Sequence, residues 1–128
     1  MPAISVEFYD LPDGSLPALD FLRSLDTKMR AKTTRTILLL EEKGILLREP
    51  YSKHLDDGIF ELRTQAGNNI TRVLFFFFVG NVAVLTNGFV KKSQKTPSAE
   101  IQKAKVYRAE FLSRKKGHNE KKEDRHQF

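Results

Sequence analysis

Residues 58–90 read GIFELRTQAGNNITRVLFFFFVGNVAVLTNGFV, and three strand patterns follow one another within them. Residues 59–63 alternate between apolar and polar side chains, residues 72–79 carry apolar side chains on both faces, and residues 82–90 are rich in β-branched side chains. The short segments between these patterns contain Gly and Asn, which favour tight turns. The four phenylalanines at 75–78 put aromatic rings on both sides of one strand, so we expect an antiparallel meander whose middle strand is covered on both faces.

The segments before the meander predict one more strand and a helical hairpin. Residues 4–9 alternate in the same way, with their apolar side chains on one face. Ser15 is predicted to cap a short helix that carries Pro17 in its first turn, and a second helix is predicted from about residue 27 to residue 43. Gly44 supplies its C-terminal stop. The two helices are expected to be antiparallel, and the residues from Gly44 to the meander show no regular period.

A third helix is predicted after the meander. Thr96 and Pro97 are typical of a helix start, with Thr96 as the cap and an apolar stripe that ends at about Leu112. Residues 114–128 have almost nothing to bury and are predicted to be disordered, with a helical extension as the alternative. We therefore expect one α+β domain over residues 1–113, with an antiparallel or mixed sheet of about four strands, and a charged tail.

Charge is distributed unevenly along the 128 residues. The net charge is +6, but residues 1–90 carry 10 basic and 11 acidic side chains, whereas residues 91–128 carry 12 basic and 5 acidic ones. The basic character therefore lies in the last third of the chain. Such asymmetry favours a polyanionic or acidic partner, and a solvated basic tail is the alternative.

Several classes of protein are disfavoured by patterns that the sequence lacks. It contains no cysteine, which excludes disulfides and thiol nucleophiles, and none of the HExxH, GxxxxGK[ST] or GxSxG patterns. We therefore expect no metal ion and no cofactor. The first residues lack the pattern of a signal peptide, and the apolar run at 73–79 is far too short to span a bilayer. These features predict a cytoplasmic protein without membrane contacts.

Cations converge at one edge of the predicted meander. In an antiparallel meander, the end of one strand lies beside the start of the next. The strand ends and the loop after them carry five basic side chains: Arg63, Arg72, Lys91, Lys92 and Lys95. Lys53 and His54 precede the meander in a segment that can reach the same edge, although the sequence does not fix them there.

This cluster has the composition of a phosphate site. The planar guanidinium of arginine binds phosphate through two hydrogen bonds and stays charged. It suits RNA cleavage in which a 2′-hydroxyl attacks the adjacent phosphate and the arginines stabilise the developing charge, a reaction that needs no metal. The alternative interpretation is an ordinary solvated basic edge.

Two residues are candidates for proton transfer at this edge. Glu61 shares a strand face with Arg63, so it is either an ion-pair partner or a general base. His54 titrates in a range that suits a general acid or base, but a lone histidine in a loop is alternatively an exposed residue without a chemical role.

Four short elements occur in a fixed order: Lys53-x-Leu55, Gly58-Ile59-Phe60-Glu61-Leu62-Arg63, Thr71-Arg72-Val73-Leu74-Phe75-Phe76, and Gly88-Phe89-Val90-Lys91-Lys92-Ser93-Gln94-Lys95-Thr96-Pro97-x-x-Glu100-Ile101. Together they resemble the RelE/ParE toxin superfamily and, within it, the phage-derived HigB-like branch. The resemblance implies a RelE-like (microbial-RNase-like) fold and the toxin half of a type II toxin-antitoxin pair. It implies ribosome-dependent cleavage of mRNA without a metal, leaving a 2′,3′-cyclic phosphate. The implied partner is an antitoxin, often of the helix-turn-helix type, through which alone the toxin would reach operator DNA.

The resemblance also assigns roles to matching positions. It implies Arg72 at the phosphate and Lys91 or Lys92 as the basic residue after the last strand, while Arg63 and Lys95 match further motif positions. Several members carry a tyrosine or histidine directly after the last strand, but residues 91–97 contain neither. The general base is therefore left open between His54 and Glu61.

Two other functions fit the same sequence. One is a ParE-like protein that binds and poisons DNA gyrase without hydrolysing anything. The other is a non-enzymatic RNA-binding phage accessory protein that uses the basic edge only for affinity.

Overall fold

A computed structural model describes the backbone of residues 4–91 and 95–126, and the side chains of the same ranges up to residue 116. The elements follow in chain order: β1 (Ser5–Phe8), α1 (Pro17–Ser24), α2 (Thr27–Lys43), a 3-10 turn (Gly44–Leu46), β2 (Ser52–Asp56), β3 (Ile59–Ala66), β4 (Asn69–Phe78), β5 (Val82–Lys91) and α3 (Ser98–His126). The described residues thus form an α+β protein.

The sheet is mixed and has the strand order β1-β5-β4-β3-β2. The predicted meander is confirmed, because β3, β4 and β5 pair in antiparallel fashion. β1 pairs in parallel with β5, and its predicted position is correct to within one residue at each end. The sheet has five strands in the described residues, so the prediction of about four was one strand short.

The additional strand is β2, which lies within a stretch predicted to be irregular. Asp57 and Gly58 both have positive φ angles, 49° and 78°. Two residues with positive φ form the tight turn that suits the twist of a β-hairpin. The Asp-Gly pair is therefore a hairpin turn and not a break, and it folds residues 52–56 back onto β3.

The middle strand is covered on both faces, as predicted. Phe75 and Phe77 belong to a cluster formed with α1 and α2. Phe76 and Phe78 face α3, where both rings meet the Phe111 ring edge-on at centroid distances of 5.5 and 5.1 Å. The sheet therefore separates two apolar layers, with the helical hairpin on one side and α3 on the other.

Both predicted N-terminal helices are present, but the first of them does not have the predicted cap. Ser15 makes no cap for α1; its backbone N and its hydroxyl both donate to Asp13 Oδ1, at 2.8 and 2.7 Å. α1 begins at Pro17 without a side-chain cap. α2 has the predicted bounds: Asp26 accepts a 2.8 Å hydrogen bond from the Met29 amide at its start, and Gly44 ends it.

Threonine pairs connect α2 to the sheet. The Thr33 and Thr71 hydroxyls are 3.0 Å apart, and the Thr64 hydroxyl donates to Thr36 at 2.9 Å. All four side chains are buried, so each hydroxyl needs a partner inside the protein. These pairs fix which face of α2 meets β3 and β4.

α3 contacts two segments that are distant in sequence, the residues after β1 and the β2–β3 turn. The Tyr9 hydroxyl donates to Glu110 at 2.7 Å, and its ring stacks on Tyr107 at 4.8 Å. Burial, together with the neighbouring Glu110 carboxylate, raises the pKa of Tyr9 well above its usual value. Near the β2–β3 turn, Arg108 pairs with Asp57 at 2.9 Å. These contacts fix where the N-terminal part of α3 lies on the sheet.

The predicted bounds of α3 were too short at the C-terminal end. The helix continues to His126, beyond the predicted end near Leu112. The domain boundary at residue 113 stays a prediction, because the side chains after residue 116 lie outside those that the structure describes. In the described residues, no helix is both long and apolar enough to cross a bilayer.

Candidate functional site

Two arginines lie side by side on the face of the sheet that carries α3. Arg63 on β3 and Arg72 on β4 are direct partners in the antiparallel register. Side chains at such paired positions are only about 5 Å apart at their β-carbons, so two positive charges would repel one another there. Glu61 resolves this, because its Oε2 accepts a hydrogen bond from Arg63 Nε at 2.7 Å and another from Arg72 Nη1.

The second carboxylate oxygen of Glu61 continues the network to β5. Glu61 Oε1 accepts a hydrogen bond from the Thr96 hydroxyl, and the same hydroxyl accepts one from Lys91 Nζ at 3.3 Å. Glu61 is fully buried, and Arg72, Lys91 and Thr96 are exposed by only 4%, 5% and 6%. We call these four residues, together with Arg63, the Glu61 cluster. It is a buried ionic network that opens to solvent at Arg63, whose side chain is 26% exposed.

Burial and hydrogen bonding act in opposite directions on the Glu61 carboxylate. Burial alone would raise its pKa, but hydrogen bonds from Thr96 and Arg63 and the charge of Arg72 lower the pKa below its ordinary value. Glu61 is therefore a carboxylate at neutral pH. It accepts three hydrogen bonds and is a weaker proton acceptor than an ordinary glutamate.

Burial also affects the two cations that lie deepest in the Glu61 cluster. It lowers the pKa of Lys91, and the nearby charge of Arg72 lowers it further. Burial lowers the pKa of Arg72 as well, although Glu61 opposes this shift. Arg72 remains charged because an arginine starts from so high a pKa.

A basic cavity of about 190 Å³ opens directly onto the Glu61 cluster. Its polar lining comes from three segments of the chain: Lys53, His54, Glu61, Arg63, Lys95 and Thr96. Lys53 reaches it because β2 pairs Lys53 directly with Glu61. The missed strand is thus what brings the N-terminal part of the predicted site to its place.

His54 lies at the same cavity but faces its own hairpin. Its Nε2 accepts a 3.0 Å hydrogen bond from the Gly58 amide, and its ring meets Phe60 edge-on at 5.1 Å. In this arrangement, a neutral His54 carries its proton on Nδ1, since Nε2 acts as the acceptor.

A family model matches most of the chain. The model of phage-derived Gp49-like proteins (DUF891) matches residues 20–108, which is more than half of the chain and spans all the candidate residues. The chain belongs to this family. Comparison with curated proteins finds no match.

The Gp49-like chain brings together most of the residues that its sequence singled out. Arg63, Arg72 and Lys91 meet around Glu61, and Lys53, His54 and Lys95 line the adjoining cavity. Lys92 lies outside the described residues. Glu61 acts as an ion-pair partner in this geometry, which was one of the two roles considered for it.

The role predicted for Thr96 was wrong. This residue was predicted to cap the third helix, but α3 begins at Ser98, and the Thr96 hydroxyl donates to Glu61 instead. A threonine directly after a run of cations is the signal that could have indicated a polar contact at the site. Thr96 contacts Glu61 because each oxygen of the buried Glu61 carboxylate needs a hydrogen-bond donor.

The Glu61 cluster has unused hydrogen-bonding capacity. Each guanidinium gives one N–H group to Glu61, and an arginine has five. Arg72 Nε is buried and has no hydrogen-bond partner among the described residues. An anion with several acceptor oxygens would satisfy donors of this kind.

The cavity residues do not form a metal site. Among the residues that the structure describes, no three His, Cys, Asp or Glu side chains come together in the way that holds a metal ion.

Proposed function

We propose that this Gp49-like protein is the toxin of a type II toxin-antitoxin pair and an endoribonuclease that cleaves mRNA on the ribosome, as in the RelE/HigB-like branch. The Glu61 cluster, at the wall of a basic cavity, is the observation that carries the proposal. Membership of a phage-derived, toxin-like family supports the assignment as a toxin, but does not bear on the cleavage of mRNA.

The energetics of the cluster favour a functional explanation. Replacing a buried ion pair by apolar side chains is often neutral or stabilising, so such pairs are seldom needed for stability. Here two arginines share a single carboxylate, so the positive charge of the two guanidiniums exceeds the negative charge of Glu61. A phosphate group would offset that excess and occupy the remaining N–H groups.

The proposed reaction uses the arginines as the groups that stabilise charge. The 2′-oxygen of one nucleotide attacks the adjacent phosphorus while the bond from phosphorus to the 5′-oxygen breaks, giving a 2′,3′-cyclic phosphate and a 5′-hydroxyl. Arg63 and Arg72 donate to the non-bridging oxygens, whose negative charge increases in the transition state. Because Glu61 fixes both guanidiniums beforehand, little reorganisation is needed when the charge develops.

Two protons must move in this reaction. One leaves the 2′-hydroxyl and one reaches the departing 5′-oxygen. Glu61 is poorly suited to either task because its pKa is lowered and its oxygens already accept three hydrogen bonds, so its proposed role is to position the arginines. His54 and Lys91 are the proposed proton carriers, since His54 lines the cavity and burial lowers the pKa of Lys91.

The proposed partners follow from the resemblance to the RelE/ParE superfamily. The substrate would be mRNA on the ribosome, in the cytoplasm. A cognate antitoxin, of the helix-turn-helix type, would block the basic cavity and link the pair to operator DNA. The toxin itself would not read that DNA.

Two rival functions make different use of the cavity. A ParE-like gyrase inhibitor has no need for arginines fixed around a carboxylate. A non-enzymatic RNA-binding protein would use the same cations for affinity alone, and its binding would weaken steeply with salt without any cleavage.

The test is to induce the chain in bacterial cells beside two variants, Arg72→Ala and Arg63→Ala. New 5′ ends on total mRNA, growth and protein synthesis are measured together, and circular dichroism of the purified variants verifies folding. The proposal predicts growth arrest with cuts confined to translated regions for the wild type, and loss of both in each variant. Arg63→Ala guards against misfolding, since Arg63 is less buried than Arg72.

Other outcomes of this experiment would reject the proposal. Arrest with a DNA damage response and no new mRNA ends would indicate a gyrase inhibitor. RNA binding in vitro without arrest or cleavage would indicate the non-enzymatic function.

A further inference from the structure

Two cavities adjoin one another at Tyr51, one beside the arginines of the Glu61 cluster and the other beside α2. One cavity of about 260 Å³ lies between Tyr51, Arg63 and Arg72, and a second of about 300 Å³ lies between Tyr51, Arg63 and α2. The two cavities share Tyr51, Arg63 and Gln65. We call these two adjoining cavities together the Tyr51 groove.

The groove exists because β2 is shorter than its neighbour. The first residue of β2, Ser52, pairs with Leu62, so β3 from Arg63 onward extends past the end of β2. Tyr51 stands at this step. Its carbonyl accepts a 2.7 Å hydrogen bond from the Arg63 amide, which fixes its backbone beside the arginine.

Tyr51 is an aromatic residue with 47% of its surface exposed, at the junction of two cavities. A single exposed tyrosine needs no explanation by itself. The surroundings of Tyr51 do need an explanation, because four cations line the two cavities: Lys32, Arg35, Arg63 and Arg72. Among the described residues that line them, none is acidic.

The positions of the α2 cations are set by the packing of α2. Thr36 faces β3, where it accepts the hydrogen bond from Thr64. Lys32 lies one helical turn before Thr36 and Arg35 directly before it, so both stand at the border between α2 and the sheet edge. Both line the second cavity.

An exposed aromatic ring between cations is the arrangement by which proteins hold single-stranded nucleic acid. Bases stack on the ring irrespective of sequence, and the cations follow the backbone phosphates. We propose that the Tyr51 groove binds the nucleotides next to the scissile phosphate, with one base stacked on Tyr51 and a neighbouring phosphate at Lys32 and Arg35. This inference rests on the proposed function, and it makes single-stranded RNA the substrate and Tyr51 a positioning residue.

The test exploits the lack of tryptophan in the chain. Tyr51→Trp introduces the only tryptophan of the full-length protein into the groove, and its indole can be excited without exciting the remaining tyrosines. Titration with a short oligouridylate should quench this fluorescence, because the base stacks on the indole, and added salt should reverse the effect. Val106→Trp is the matched control: Val106 is 65% exposed on α3 and lines neither cavity, so the fluorescence of this variant should not change.

A second set of variants distinguishes base stacking on the Tyr51 ring from the mere filling of the groove by a side chain. Tyr51→Phe keeps the ring and should bind labelled oligouridylate as the wild type does, whereas Tyr51→Leu should bind about 5- to 150-fold more weakly. Lys32→Ala combined with Arg35→Ala should weaken binding and reduce its salt dependence. Equal binding by Tyr51→Leu and wild type, or RNA binding that leaves the fluorescence of Tyr51→Trp unchanged, would overturn the inference.

The outcomes also distinguish this inference from the proposed function. If RNA quenches the fluorescence of Tyr51→Trp but mRNA is never cut in cells, the groove stands and the nuclease proposal fails. If mRNA is cut and Tyr51→Leu cuts and binds as well as the wild type, the nuclease proposal stands and the groove fails.

Discussion

Glu61 is the residue on which the geometry of the candidate site depends. It is fully buried, and three side chains from three segments donate to its carboxylate: Arg63, Arg72 and Thr96. If Glu61 lost its charge, Arg72 would remain as a buried cation without a counterion. Breaking one partner of a buried pair in this way typically costs about 3–5 kcal/mol.

This dependence predicts a specific effect of pH on stability. The folded pKa of Glu61 lies below its ordinary value of 4.5, so the carboxylate stabilises the fold above that pH, and the stabilisation is lost as pH falls through the lower, folded value. Urea unfolding between neutral pH and acid should therefore show a decrease in the free energy of unfolding that is steeper for the wild type than for Glu61→Gln. Glu61→Gln should be less stable than the wild type at neutral pH.

The comparison with Glu61→Gln isolates Glu61 from other carboxylates. The pKa values of Asp13 and Asp56 are also lowered, through hydrogen bonds to Ser15 and Lys105, and both residues are unchanged in the variant. Identical pH profiles for the two proteins would contradict the account of the Glu61 cluster.

At the residue scale, the sequence predicted the charges better than their partners. The convergence of Arg63, Arg72 and Lys91 follows from strand order alone, because an antiparallel meander puts consecutive strand ends together. The contact between Thr96 and Glu61 could not be predicted in this way, since it depends on where α3 begins. The burial of Glu61 likewise depends on α3 covering that face of the sheet.

At the scale of elements, the hairpin of β2 and β3 shows how one turn changes the site. The sequence Asp56-Asp57-Gly58 was interpreted as a break, although Asp-Gly is also a strong hairpin signal. Residues 52–56 contain polar side chains at all positions but Leu55, so they lack the apolar alternation that marks a half-buried strand. In the structure, the side chains of Lys53 and His54 are accordingly exposed. Residues 52–56 form a strand because they pair with β3, and a pairing partner cannot be recognised from a local sequence pattern.

The contact between α1 and β5 yields the next prediction. A β-carbon placed on Gly88 would lie 2.9 Å from two carbons of the Phe21 ring and closer still to a third. Gly88→Ala should therefore force α1 away from β5 and reduce the free energy of unfolding by about 1–3 kcal/mol, measured by urea denaturation.

A double-mutant cycle provides the control for this prediction. Phe21→Ala removes the obstructing ring, so Gly88→Ala should cost much less in that background than in the wild type. A loss below about 0.5 kcal/mol for Gly88→Ala alone would show that α1 does not pack as described.

At the scale of the whole molecule, the positive charge is more localised than the division at residue 90 suggested. Residues 91–116 carry nine basic and two acidic side chains, whereas residues 117–128 carry three of each. The final segment is therefore electrically neutral as a whole. The excess charge therefore belongs to residues 91–116.

This distribution predicts the effect of truncation after Lys116. Binding of an oligoribonucleotide, measured by fluorescence anisotropy over a range of salt concentrations, should keep its affinity to within about twofold and its salt dependence unchanged, because the removed segment carries no net charge. A loss of more than about tenfold would show that the last residues contribute to binding and that the functional unit extends beyond residue 113.

In the proposed function, Arg72, fixed by Glu61, stabilises the charge that develops on a scissile phosphate. The most direct measurement is the rate of mRNA cleavage on purified ribosomes by the wild type, by Arg72→Ala and by Arg72→Lys, with the product ends identified. We predict 2′,3′-cyclic phosphate ends from the wild type, a rate about 10²- to 10³-fold lower for Arg72→Ala, and incomplete recovery by Arg72→Lys, which keeps the charge but not the planar fork. Equal rates for folded wild type and Arg72→Ala, or no cleavage by the wild type at all, would contradict this role of Arg72.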